Sequence, residues 1–395
     1  MAIADKMTAA MQSSSWIRRM FEEGAELKAR LGADKIYDFT LGNPDLEPPD
    51  ALKAALLEVV QDSRPGRHSY MSNAGFLETR QVLAAHLSRE HPLSFSPDDI
   101  IMTCGAAGAL NVILKALLNP GEEVIILAPF FPEYIFYIDN HGGTPREVET
   151  DALFQLDLNR LEEAINTQTR AVIINSPNNP TGQIYEAARL NALGKLLTAH
   201  SKKHGRPIYL INDEPYRRLT YDGISVPSIF QAYPNSLVAT SFSKDLSLPG
   251  ERIGYLAVSP QAQGRQELLA GLILANRILG YVNAPALMQR LVAKMAGVTV
   301  DLTPYVRRRE LFCQILADAG YDLVKPQGAF YLFPRSPLTD DIAFVAELKK
   351  ENILAVPGRG FGRGGYFRLA FCTPESVISA AAAGFARARA RVAQV

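Results

Sequence analysis

Residues 240–257, TSFSKDLSLPGERIGYLA, gather a primary amine, two hydroxyls and a guanidinium: Lys244, with Ser241 and Ser243 just before it and Arg252 eight positions after it. A lysine amine with an ordinary pKa of about 10.4 is almost all ammonium at neutral pH, so covalent work at Lys244 requires conversion to an imine or loss of the proton. Arg252 offers a planar fork for bidentate contact with an anion, and the serines add hydroxyls close to the amine. Two more polar clusters end apolar runs. RAVIINSPNNPTG closes with Asn178, Asn179, Pro180, Thr181 and Gly182, and PIYLINDEPY carries Asp213 and Tyr216. Read singly, these are a turn, a strand-end acid or helix cap, and a solvated loop lysine; their joint occurrence at the ends of successive apolar runs points to a shared site.

The elements that must position them follow from hydrophobic patterning. From about residue 100 short apolar runs (DIIMT, EEVIILA, RAVIIN, PIYLIN, SLVATSF, IGYLAVS) alternate with helical segments such as AAGALNVILKALL. Continuous Val/Ile/Leu runs mark strands covered on both faces, hence a mostly parallel sheet wrapped by helices, an α/β architecture. In such sheets ligands bind outside the carboxyl ends of the strands, where each polar cluster sits. Upstream, residues 14–32 (SSWIRRMFEEGAELKARLG) place Trp16, Ile17, Met20 and Leu27 at helical spacing with Gly32 as a stop. Beyond about residue 290 longer helices accompany a shorter β-like set (GAFYLF, ILAVPG, YFRLAF), predicting a smaller α+β domain. The expected division is a large domain over residues 46–290 and a small one built from 1–45 and 291–395.

The order and spacing of these clusters resemble the class I/II aminotransferases of the fold type I pyridoxal 5′-phosphate enzymes, from LGNPD to YFRLAF; the S-x-S-K and G-E-R-I-G elements are the most specific part. The resemblance implies a seven-stranded, mostly parallel sheet and pyridoxal 5′-phosphate held as a Schiff base on Lys244, which then serves as the base at the substrate's α-carbon. It implies that Asp213 keeps the pyridine nitrogen protonated and that Asn179 and Tyr216 hydrogen-bond the ring's phenolic oxygen. Ser241, Ser243 and Arg252 would hold the phosphate, with backbone amides of Ala106 and Ala107 after Gly105 in TCGAAGALNVILKALL. Many family members carry Ser or Thr in that turn; alanines leave the backbone alone as donor. Phe131 in APFFPEY would stack on the ring. Tyr70 in HSYMSNAGFLETR would reach the phosphate of a neighbouring subunit, implying a homodimer with shared sites. Arg368 in GRGGYFRLAF and Gly42 in TLGNPD would receive the substrate's α-carboxylate. The implied reaction moves an amino group from an L-amino acid to a 2-oxo acid by a ping-pong route. β-Elimination from a cysteine-like substrate on the same scaffold is the alternative, and a non-catalytic cofactor-sensing regulator a remote one. Arg277 in LANRILGYVNAP lies near the segment that reads a distal carboxylate in the family without aligning cleanly, so the amino donor stays open.

Composition bounds the partners. With 41 basic and 41 acidic residues, 47% hydrophobic and 21% charged, the chain has no net field to attract nucleic acid or anionic lipid, which leaves small molecules and copies of itself. Cys104, Cys313 and Cys372 lack paired spacing, as expected of a protein of the reducing cytoplasm without a Cys-based metal site. The first residues, MAIADKMTAAMQSSSW, lack the apolar core of a signal peptide, and no segment reaches the ~20 apolar residues of a membrane span, so a soluble, unprocessed chain is expected. Three signals are set aside. GFGRGG at 360–365 satisfies G-x-G-x-x-G but precedes the β-like YFRLAF rather than a helix. His200 and His204 have the spacing of a helical metal pair but no third ligand. RRRE at 307–310 reads as the solvated face of a helix.

Overall fold

The apolar runs do form strands, and their order in the sheet decides where the polar clusters meet. The structure is a computed structural model that describes residues 2–12 and 16–393. In chain order the strands are β1 (Tyr37–Asp38), β2 (Ile100–Thr103), β3 (Glu123–Ala128), β4 (Thr144–Glu149), β5 (Thr169–Asn175), β6 (Tyr209–Asp213), β7 (Ser236–Ser241), β8 (Gly254–Val258), β9 (Tyr331–Leu332), β10 (Ile353–Leu354), β11 (Val356–Pro357) and β12 (Phe367–Ala370). Seven of them make one sheet in the order β2-β8-β7-β6-β5-β3-β4. β8 alone runs against its neighbours, so the start of β8 lies at the same edge as the ends of the other six. The fold is therefore α/β with a mostly parallel sheet, as the patterning predicts, and with the seven strands that the resemblance implies.

Alternate residues of the strands feed two cores. Ile100, Met102, Val172, Ile174, Leu210 and Val238 face one layer of helices, and Ile101, Ala171, Ile173, Ile211, Leu237 and Leu256 face the other. Burial on both faces is why these strands read as unbroken apolar runs. β4 at the sheet edge shows the exposed pattern of a strand with one free side.

A third core, rich in aromatic residues, lies around β9, β11 and β12 and the helices Thr303–Asp318, Asp341–Lys350 and Glu375–Val392. Phe39, just past β1, packs into it with its ring 4.9 Å from that of Phe312. β1 pairs in parallel with β10, Tyr37 against Ile353 and Asp38 against Leu354. The helix Ala286–Lys294 contributes Leu291 and Val292 to the first sheet core. The N-terminal helix runs Trp16–Leu31; Ser14 and Ser15 of the expected segment lie outside the described residues.

One expectation is overturned here. RRRE is not a solvated face: Arg309 is 0% exposed and Arg308 is buried, while Arg307 pairs at the surface with Glu375. Arg309 makes a two-pronged contact with Asp222 (2.8 and 2.7 Å) and lies over the Tyr221 ring at 4.6 Å. Arg308 reaches Asp45 at 2.8 Å. A guanidinium is weakly hydrated and planar, so it can be buried when its donors are paired and its face is stacked. The loop at 360–365 connects β11 and β12 as an antiparallel hairpin, which agrees with setting aside its glycine motif. His200 and His204 lie on the last turns of the helix Ala187–His204. Among the described residues no helix is long and apolar enough to cross a membrane.

Candidate active site

A cavity of about 400 Å³ opens at the carboxyl edge of the sheet. Its wall brings together Gly42, Ala106, Ala107, Phe131, Asn179, Asp213, Tyr216, Ser241, Ser243, Lys244, Arg252 and Arg368. Most lie at or just past a strand end, Ala106 and Ala107 in the first turn of the helix Gly105–Leu117, Arg252 just before β8 and Arg368 on β12. Tyr70 is not in this wall; it is 91% exposed on the same chain. Arg277 is exposed on the helix Arg265–Ile278, also outside it.

Asp213 ends β6 at the middle of the sheet. Its Oδ2 accepts a 2.6 Å hydrogen bond from the Tyr134 hydroxyl, and its Oδ1 is buried without a partner. Burial pushes the carboxyl up to about 7; the Tyr134 bond opposes the shift and the Glu214 charge adds to it. A cationic ring N–H presented to Oδ1 would satisfy the orphaned atom and restore the carboxylate, the pairing that a pyridinium requires. Asn175 holds this strand end, donating from Nδ2 to the Asp213 carbonyl and accepting the Asn179 amide on Oδ1, each at 2.6 Å.

Lys244 projects into the cavity from beyond β7, its Nζ donating to the Gly42 carbonyl at 3.0 Å. Burial lowers its pKa to about 8, with Arg252 and Arg368 adding to the shift, so about a tenth is neutral amine at pH 7. The first helix after β2, Gly105–Leu117, points its N-terminus at the same cavity, where its first N–H groups have no intrahelical acceptor. Gly105 has φ of +74°, and a Cβ there would sit 3.1 Å from Arg252 Nη2, so only glycine lets the helix start and the arginine close up. Amides, Ser241, Ser243 and the Arg252 fork together suit a dianion.

Arg368 on β12 is 2% exposed, and its guanidinium carbon is 4.7 Å from the centre of the Tyr331 ring and 4.8 Å from that of Phe361. Nη1 donates to Asn179 Oδ1 at 3.1 Å, Nη2 donates to the Thr40 carbonyl, and Nε has no partner. The Tyr216 hydroxyl is 2.9 Å from that of Tyr331, and burial drives the Tyr216 pKa well up. A Cβ on Gly42 would collide with the Tyr331 hydroxyl, which explains a glycine there. Phe131 lines the opening with its ring 5.6 Å from that of Tyr134 and nearly perpendicular to it.

Sequence reasoning missed Tyr134, Asn175 and Tyr331. Tyr134 lies in APFFPEY three residues after Phe131, and Tyr331 in GAFYLF, so each was within a segment already singled out; nothing local in either shows that the one hydroxyl meets Asp213 and the other Tyr216.

Comparison with known proteins agrees with this geometry. The sequence matches the family described as aminotransferase class I and II over residues 34–383. It is 33% identical over 374 residues to an aspartate/prephenate aminotransferase of Thermus thermophilus, covering 92% of this chain and 93% of that one. It is 32% identical over 383 residues to an aspartate aminotransferase of Geobacillus stearothermophilus, covering 91% and 92%. Among solved structures, an amino transferase from Eubacterium rectale superposes with a TM-score of 0.96 at 40% identity, covering 99% of both chains. The aspartate aminotransferase from Thermus thermophilus with maleate gives 0.86 at 29% identity, covering 98% and 100%.

Proposed function

From the premise that the chain belongs to the class I and II aminotransferases and is a pyridoxal 5′-phosphate-dependent aminotransferase, we propose that it moves the amino group of an L-amino acid to a 2-oxo acid such as 2-oxoglutarate or pyruvate in two ping-pong half-reactions. When bound, pyridoxal phosphate supplies an electrophilic carbon for amines and a cationic ring that accepts the electron pair released at the substrate's α-carbon. Lys244 Nζ would be the amine that holds that carbon, and as a free amine it would serve as the base that takes the proton from the substrate's Cα and later returns it. Its lowered pKa suits both tasks.

Asp213 Oδ1 keeps the proton on the ring nitrogen, a charge-assisted hydrogen bond worth roughly 1.5–3 kcal/mol. Tyr134 steadies Asp213 through Oδ2. Phe131 would stack on the ring, and Asn179 and Tyr216 would hydrogen-bond its phenolic oxygen. The amides of Ala106 and Ala107, the hydroxyls of Ser241 and Ser243 and the Arg252 fork hold the phosphate. Arg368 receives the α-carboxylate on its fork, with the Gly42 loop covering it. The exposed Tyr70 serves the phosphate of the second subunit in a homodimer with shared sites. Residues 46–290 would form the large domain and the described residues of 1–45 and 291–395 the small one, except that Leu291 and Val292 pack into the first sheet core.

The observation that carries this reading is the buried, unpartnered Asp213 Oδ1 in the same cavity as Lys244 and a helix N-terminus. The test is borohydride reduction of the cofactor-loaded protein followed by peptide mapping. The reading requires a reduced adduct on Lys244 and transfer of nitrogen from donor to acceptor. An adduct elsewhere overturns the lysine assignment, and ammonia with pyruvate formed without an acceptor makes the protein a β-eliminating lyase.

A further inference from the structure

The hydroxyls of Tyr216 and Tyr331 lie 2.9 Å apart, and both side chains line the cavity. Each hydroxyl has a single proton to give and lone pairs with which to accept. On the function proposed above, on which this inference rests, the Tyr216 proton is directed at the phenolic oxygen of the cofactor ring. The contact between the two tyrosines must then be donated by Tyr331, whose O–H ends on the Tyr216 oxygen.

The fold holds Tyr331 in the position that this requires. On β9 it pairs with Ala370, two residues along β12 from Arg368, so alternation of side chains puts Tyr331 and Arg368 on the same face of the strand pair. The Arg368 guanidinium carbon is accordingly 4.7 Å from the centre of the Tyr331 ring. Burial raises the Tyr331 hydroxyl to about 12 while the Arg368 charge opposes the rise, whereas burial and then the neighbouring Tyr331 drive Tyr216 well above its ordinary value. The more acidic of two phenols is the better donor, which agrees with a bond running from Tyr331 to Tyr216. Gly42 bounds the same hydroxyl: a Cβ there would collide with it, and the Gly42 carbonyl accepts from Lys244 Nζ at 3.0 Å.

We propose that Tyr331 is a positioning residue, which by donating to the Tyr216 oxygen turns the Tyr216 O–H toward the phenolic oxygen and strengthens its bond there. Hydrogen bonds in series polarise one another, so a bond into the Tyr216 oxygen makes its own proton a better donor. A better donor withdraws charge from the phenolic oxygen and makes the nitrogen linking Lys244 to the ring less basic. The loaded protein should therefore lose that nitrogen's proton at a lower pH than it would without Tyr331.

The experiment is an absorbance titration with pH of the cofactor-loaded parent, Tyr331→Phe, Tyr216→Phe and the double variant. Tyr331→Phe is expected to raise the midpoint by about 0.3 to 1 pH unit, a two- to tenfold gain in proton affinity. In the Tyr216→Phe background the same substitution is expected to move it by less than about 0.1 unit, because its effect passes through Tyr216. The phenylalanine ring keeps the contact with Arg368, so KM for the amino donor should hold within about twofold. Tyr331→3-fluorotyrosine, which keeps the hydroxyl and makes it more acidic, should lower the midpoint; if Tyr331→Phe does not fold, this variant decides alone. An unmoved midpoint in Tyr331→Phe, equal shifts in both backgrounds, or no decrease with 3-fluorotyrosine overturns the proposal. If Tyr216→Phe itself leaves the midpoint where it was, the assignment of Tyr216 to the phenolic oxygen fails, and this inference with it.

Discussion

Tyr134 and Asp213 are joined by a 2.6 Å hydrogen bond that occupies one carboxyl oxygen and leaves the other buried and unpartnered. The acid is thereby fixed in direction before any ligand arrives. Tyr134→Phe removes a bond to a charged group worth roughly 1.5–3 kcal/mol. The expected outcome is a fall in kcat of about 10- to 100-fold at neutral pH with a shifted pH profile. A kcat and profile identical to the parent's would remove Tyr134 from the mechanism.

Asp213 also makes the cofactor-free protein sensitive to pH. Its pKa is about 7 in the folded chain against 3.8 ordinarily, because of burial. The folded state then binds more protons than the unfolded state between about 4 and 7. This group's contribution is most favourable below about 4, declines as pH rises to 7 and is constant above. Asp245, raised by burial to about 7, acts in the same sense. Asp213→Asn is therefore expected to stabilise the cofactor-free protein relative to the parent, by on the order of 2 kcal/mol more at pH 8 than at pH 5. Urea unfolding at both values checks this; an equal effect at each would mean that the carboxyl is not titrating there.

Lys244 sets the pH dependence of cofactor capture. With its pKa lowered to about 8 by burial, the reactive neutral amine grows with pH until the group is deprotonated. The rate of covalent uptake should rise nearly tenfold per pH unit well below 8 and level off above it. Stopped-flow absorbance of the cofactor-free protein mixed with pyridoxal phosphate gives the curve, and a midpoint near 10.4 would contradict the burial argument.

Arg368→Lys keeps the charge and loses the fork. A KM increase of about 10- to 100-fold for the amino donor is expected, since one of two parallel charge-assisted hydrogen bonds disappears, with cofactor binding retained. Equal loss of cofactor and substrate binding would instead indicate collapse of the β12 region.

Arg309 is a stability residue remote from the chemistry. Arg309→Ala removes a fully buried guanidinium and its two bonds to Asp222. A loss of about 3 kcal/mol is expected, because a packed side chain is replaced by a cavity and an ion pair is broken. Denaturant unfolding measures it, and activity per folded molecule should hold within about twofold.

What could be read from residues alone is uneven, and the reason is range. Unbroken runs such as RAVIIN and PIYLIN announce buried strands because burial on both faces leaves a local trace, and the chemistry of Lys244, Asp213, Arg252 and Arg368 is intrinsic to their side chains. Tyr134 is 79 positions from Asp213, and Tyr216 is 115 from Tyr331. Those pairs exist because the sheet orders its strands as it does and the third core closes on the strand ends, which no local pattern encodes. The same holds for Arg308 and Arg309. Charge in a helix implies water only until a tertiary partner supplies a carboxylate and an aromatic face. The order of residues sets which groups are available and that they stand at strand ends. Which of them are buried, paired or left open comes from the packed fold, because desolvation and hydrogen bonding depend on neighbours in space.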